Sequence, residues 1–133
     1  MMTVTETGKG NAQIRDAICA HADWKRRLSE CIDKGALEKT ADEISRNDQC
    51  AFGQWLASLS TDPDDPSMEK FEMIKGLHAR FHREAGKIAV NVEGGDRSAA
   101  RELYESPGFR RLTNSLILNL NDWREDFRDI LNR

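Results

Sequence analysis

From Asn11 onward, apolar residues recur at helical spacing. Ile14, Ala17, Ile18, His21, Trp24, Leu28 and Ile32 share one face of a 3.6-residue period. Lys34-Gly35 supplies a basic last turn followed by glycine, a common helix stop. Residues 35–48 lack a period, and Leu37 and Ile44 read as anchors of a loop or a broken turn. Asn47 or Asp48 then caps a short helix from Gln49 to Leu59, with Phe52, Trp55, Leu56 and Leu59 on its apolar face. The acidic, proline-bearing stretch Thr61 to Pro66 separates it from a long helix over 67–92. That helix carries Phe71, Ile74, His78, Phe81, His82, Ala85, Ile88, Ala89 and Val92 on one stripe. Gly94-Gly95 closes it, and Asp96 or Ser98 caps a short helix through Tyr104. After Ser106-Pro107-Gly108 a last helix presents Phe109, Leu112, Leu116, Leu120, Trp123, Phe127 and Ile130.

Three long amphipathic helices and two short ones predict an all-α, four-helix-bundle-like domain with an additional short helix, because bundling is the way to bury such stripes. Residues 1–10 show no periodicity and read as a flexible tail, leaving 11–133 as a single helical domain. Composition agrees. Hydrophobic residues make up 38% and charged residues 32% of the 133, a mix for a folded chain with a charged surface rather than for disorder. Nine glycines and three prolines are too few to punctuate a β-sandwich. The net charge of −3 offers no basic excess to drive nucleic-acid binding. No apolar run approaches the ~18 residues that insert into a membrane, and Met1–Gly10 lacks the apolar core of a signal peptide. A cytoplasmic location is expected. Three cysteines without paired spacing point to reduced thiols rather than a disulfide framework.

Histidine placement changes the picture. The chain has three, and all fall on apolar stripes. A single histidine on such a face is ordinarily a core residue that has found a hydrogen bond. Three of them carry a cumulative desolvation cost that one shared metal ion would offset. His78 and His82 are one turn apart, with Cβ atoms ~5–6 Å from each other, so their imidazoles can converge on one ion. The segment His78-Ala79-Arg80-Phe81-His82 is not the metalloprotease helix motif, which needs Glu directly after the first His.

His21 supplies a third candidate, and helical phase selects a fourth. Cys19 precedes His21 by two residues and points roughly 200° away from it, and Cys31 lies ~15 Å further along the axis. Both read as small buried hydrophobes. Cys50 stands at the start of the short helix, where the helix end favours the thiolate that binds metal. The expected set is therefore His21, Cys50, His78 and His82. Three imidazoles and a thiolate match Zn²⁺ in softness, and four protein donors make a closed tetrahedron.

These residues carry a resemblance. His21-Ala22-Asp23-Trp24-Lys25, Cys50-Ala51-Phe52-Gly53-Gln54-Trp55 and His78-Ala79-Arg80-Phe81-His82 occur in the order found in the chemoreceptor zinc-binding (CZB) domain family, and the chain resembles that family over roughly residues 11–130. The resemblance implies a helical bundle with a three-His, one-Cys zinc site. It implies a regulatory role tied to bacterial chemoreceptors or diguanylate cyclases. It further implies responses to zinc or to oxidants such as hypochlorous acid at the zinc-bound thiolate, and homodimers. A sensing module rather than an enzyme is the favoured reading. A zinc-dependent hydrolase or lyase needs an open metal position, which four protein donors deny. A di-iron oxygen carrier of the hemerythrin kind needs more than three histidines. A structural bundle with incidental histidines is the remaining alternative.

Overall fold

The computed structural model describes residues 10–46, 50–58 and 68–131. Among the described residues the chain forms six helices and no strand: α1 (Gly10–Lys34), α2 (Ala41–Ser45), α3 (Ala51–Ser58), α4 (Met68–Glu93), α5 (Arg97–Glu105) and α6 (Pro107–Leu131). The fold is an all-α helical bundle, as the periodicity predicts. The expected tail 1–10 falls almost wholly outside the described residues, and α1 begins one residue early, at Gly10. The expected caps Asn47 and Asp48 and the connector 61–66 also lie outside them.

The long helices end and begin where local chemistry dictates. Gly35 stands at φ +70° after Lys34 and donates its N–H to the Cys31 carbonyl at 2.8 Å. Gly95 stands at φ +79° after α4, and the Asp96 N–H reaches back to the Asn91 carbonyl at 2.9 Å. Left-handed backbone of this kind suits glycine because it has no Cβ to clash. Asp96 caps α5 by accepting from the Ala99 N–H at 2.9 Å. Ser106 accepts from the Phe109 N–H at 3.2 Å, with Pro107 as the first residue of α6.

The predicted stripes are the core. Every stripe residue of α4 is buried, together with Gly86. Ile14, Ala17, His21, Leu28 and Ile32 of α1 are buried, while Ile18 and Trp24 pack at its margin. Phe109, Leu112, Leu116, Leu120 and Trp123 of α6 are buried in the same chain; Phe127 and Ile130 lie beyond the described side chains. Helix α6 packs against both α1 and α4, and α3 lies against the same two helices. The part of the α6 stripe from Phe109 to Trp123 is thus spent on the chain's own core.

Two readings need correction. Residues 35–48 are not only loop: they contain α2, which packs along α4. The signal was present as Thr40-x-x-Glu43. The Thr40 hydroxyl accepts from the Glu43 N–H at 3.1 Å, and the Glu43 carboxylate returns to the Thr40 hydroxyl at 3.2 Å. This is a variant of the capping box, with the return contact made to the hydroxyl. Ala41 and Ile44 are the buried residues of α2. The second correction concerns Cys19, which is exposed rather than buried; Cys31 is buried as expected. The phase that turns Cys19 away from His21 also turns it away from the core.

Candidate metal centre

Two helices and the start of a third build the centre. α1 contributes His21, α4 contributes His78 and His82, and Cys50 sits immediately before α3. The Cys50 carbonyl accepts from the Gln54 N–H at 3.0 Å, which places its side chain at the positive end of α3. One donor atom from each of His21, Cys50, His78 and His82 lies within 4.8 Å of all the others. The structure thus brings together all four residues singled out from the sequence and leaves Cys19 and Cys31 out.

The cluster is dry on one side and open on the other. His21 is 1%, His78 0% and His82 6% exposed. Aromatic rings wall it. Phe81 lies edge-on to His21 with centroids 5.2 Å apart, and Phe52 does the same to His78 at 5.1 Å. Trp55 stands one layer out, tilted on Phe52 at 5.8 Å and on Trp123 at 5.7 Å. Cys50 is half-buried and lines a surface crevice with Trp24, Lys39, Ile44 and His82. The Arg27 guanidinium and the Lys39 ammonium approach the Trp24 ring at 5.0 and 5.8 Å.

Hydrogen bonds set the orientation of two rings. His21 Nδ1 is 2.7 Å from the Ala17 carbonyl, and His82 Nδ1 is 2.9 Å from the Ile44 carbonyl. A carbonyl oxygen only accepts, so each Nδ1 carries the proton and each Nε2 presents a lone pair. His82 Nε2 faces His78 Nε2 at 3.1 Å. His21 Nε2 and His78 Nδ1 are buried with no hydrogen-bond partner. Ile44 and Ala17 act through backbone carbonyls, which carry no residue-specific signature in a sequence.

Burial makes these rings poor bases. Desolvation is the largest cause for all three. It brings His21 down from 6.5 to about 4 against the opposing hydrogen bond to Ala17. It brings His78 down to about 2, with the neighbouring His21 and His82 adding to the effect. His82 is also lowered, opposed by its bond to Ile44. Neutral imidazole is the form that binds metal.

The donor set suits a zinc ion. Atoms ~2.0–2.3 Å from one tetrahedral Zn²⁺ are ~3.3–3.6 Å from one another. The 3.1 Å between His78 Nε2 and His82 Nε2 approaches that edge, and the outer limit of 4.8 Å leaves about 1 Å of closure through side-chain rotation. A cation at the centre satisfies the buried His21 Nε2 that no protein group reaches.

Comparison with known proteins gives one match. The family model described as "Chemoreceptor zinc-binding domain" matches residues 21–89, more than half of the chain and a span that contains all four clustered residues. Searches of curated proteins and of solved structures find no significant match.

Proposed function

Because the chain belongs to the chemoreceptor zinc-binding domain family, we propose that it is a sensory module whose His21, Cys50, His78 and His82 hold a single Zn²⁺. The observation that carries this reading is the convergence of one donor atom from each of the four within 4.8 Å. Bound zinc would supply a fixed positive charge that ties α1, α3 and α4 at one point. The residues do the rest. Ala17 and Ile44 hold the His21 and His82 rings with Nε2 toward the cluster. Phe52 and Phe81 exclude water from the buried side. Four protein donors leave no position for a reacting water, which favours a sensor over a zinc-dependent enzyme.

The signal enters at Cys50. Cys50 lines the surface crevice and is half-buried, whereas the three histidines of the set are buried. A coordinated cysteine is a thiolate, and hypochlorous acid converts a thiolate to a sulfenic acid with release of chloride, the sulfur losing two electrons. A sulfenic acid is a weaker donor, so oxidation loosens the tie between α3 and the other two helices. Falling zinc availability loosens the same tie. The output would pass to chemotaxis or cyclic-di-GMP machinery, through a chemoreceptor or a diguanylate cyclase. The module would act in the cytoplasm as a homodimer. Among the described residues no helix is long and apolar enough to cross a membrane.

The test is a chelator-competition titration of wild type beside His21→Ala, Cys50→Ser, His78→Ala and His82→Ala. The reading expects one tight zinc site in wild type and a large loss of affinity in every variant. A variant that keeps wild-type affinity removes that residue from the site, and two such variants overturn the reading.

A further inference from the structure

α2 offers no donor to the cluster, yet it holds one of the four side chains in place. It is a five-residue helix with two buried residues, too short to be stable alone. Three contacts fix it to α4. Ile44 accepts the His82 Nδ1–H at 2.9 Å. Glu93 accepts the Ala41 N–H at 3.3 Å, tying the first residue of α2 to the last of α4. Gly86 meets Ser45 so closely that a Cβ added at Gly86 would lie 2.5 Å from the Ser45 Cβ and 3.0 Å from its Cα. Ordinary contact is 3.4–4 Å.

Gly86 lies one turn after His82, on the same face of α4. A Cβ there would push α2 outward by about 1 Å to reach ordinary contact. The Ile44 carbonyl, in the residue before Ser45, would move with it, and a 2.9 Å bond lengthened by that amount no longer holds a ring. Gly76, also on α4, has nothing within 4 Å of an added Cβ. Glycine at 86 therefore has a local purpose that glycine at 76 lacks.

We propose that Gly86 and α2 are positioning elements of the metal centre: the close approach of Gly86 to Ser45 sets the Ile44 carbonyl, which fixes the tautomer and direction of His82. The inference rests on the zinc-site reading above. Groups that orient a metal-ligating histidine typically change metal affinity roughly 10–100-fold when lost. Gly86→Ala weakens zinc binding by an amount in that range, although alanine is the better helix former. Gly76→Ala makes the same chemical change on the same helix and leaves affinity unaltered. Adding Ser45→Gly to Gly86→Ala removes the Cβ that the new methyl strikes and recovers part of the loss.

The experiment measures zinc affinity by chelator competition and records the absorption spectrum of the cobalt(II)-loaded protein, with circular dichroism to confirm folding. The expected result is the tenfold or greater loss in Gly86→Ala, an altered cobalt spectrum, partial recovery with Ser45→Gly and no change in Gly76→Ala. Folded Gly86→Ala with wild-type affinity and spectrum overturns the proposal, as does equal weakening by Gly76→Ala. If Gly86→Ala does not fold, Thr40→Ala replaces it, since it removes the α2 cap at an exposed position without crowding α4. Affinity must then fall, and wild-type affinity in that variant overturns the proposal. A wild-type protein that binds no zinc, or binds it equally well after His78→Ala and His82→Ala, defeats the zinc-site reading and this inference with it. Tight wild-type binding that is insensitive to Gly86 and α2 defeats the inference alone.

Discussion

His78 and His82 face each other Nε2 to Nε2 at 3.1 Å, one helical turn apart on α4. The Nδ1–H of His82 is committed to the Ile44 carbonyl, so its Nε2 brings a lone pair to this contact. Two imidazole nitrogens at that distance must share a proton or a cation. A second proton is opposed by burial and by the neighbouring rings, which is why His78 is brought down to about 2.

The metal-free protein should therefore lose stability in mild acid. The unfolded chain binds protons at its histidines near pH 6.5, while the folded chain refuses them until about 4 at His21 and about 2 at His78. Where the unfolded state holds more protons, stability falls as pH falls. At His21 and at His78 this loss is about 1.4 kcal/mol per pH unit below 6.5, down to the folded value of each ring. Denaturant unfolding of chelator-treated protein between pH 7.5 and pH 5 checks this. A flat profile contradicts it, and His78→Ala/His82→Ala should give a shallower one.

Zinc should stabilise the fold by linkage. A ligand that binds only the native state adds ~4 kcal/mol at a thousandfold excess over its Kd. Chelator should lower the melting temperature of wild type and leave that of His78→Ala/His82→Ala nearly unchanged. An equal shift in both proteins speaks against a site built on these rings.

The thiols should separate by environment. Cys31 is buried and should react last, whereas Cys19 is exposed and competes with Cys50 for oxidant. Substoichiometric hypochlorous acid, with mass spectrometry at each cysteine and a zinc indicator in the same tube, should show zinc released in step with Cys50 oxidation. Cys19→Ser should leave that coupling intact. Zinc release that follows Cys19 instead, or Cys50 oxidation with zinc retained, rejects Cys50 as the signalling residue.

Phe81 links the centre to the core. It is buried against His21 and stacks on Phe109 with centroids 5.9 Å apart and planes 21° apart. Phe81→Ala should cost about 3–5 kcal/mol. Val90→Ala, at an exposed position of the same helix, should fall within about 0.5 kcal/mol of wild type. Urea unfolding should show a lowered midpoint with an unchanged slope for Phe81→Ala. Equal midpoints for the two variants contradict the packing described.

The parts that sequence revealed are those written in side-chain period. α4 repeats its apolar positions across seven turns, and every residue on that stripe is buried. His21, His78 and His82 stood out because they interrupt such stripes. α2 escaped because a five-residue helix with two buried residues shows no period, although Thr40 and Glu43 carried a capping signal. The orienting carbonyls of Ala17 and Ile44 were illegible, since any residue supplies a carbonyl. Cys19 is exposed because helical phase, not the apolar tendency of a thiol, decides where its side chain lies. Gly86 gave no sign of its purpose, which appears only when Ser45 of another helix lies against it.

The central claim is that His21, Cys50, His78 and His82 together hold one zinc ion. Metal analysis of protein purified without added metal tests it most directly, run on wild type and on His78→Ala/His82→Ala. The account predicts one zinc per chain in wild type and almost none in the double variant. No bound metal, two irons per chain, or equal zinc in both proteins would contradict it.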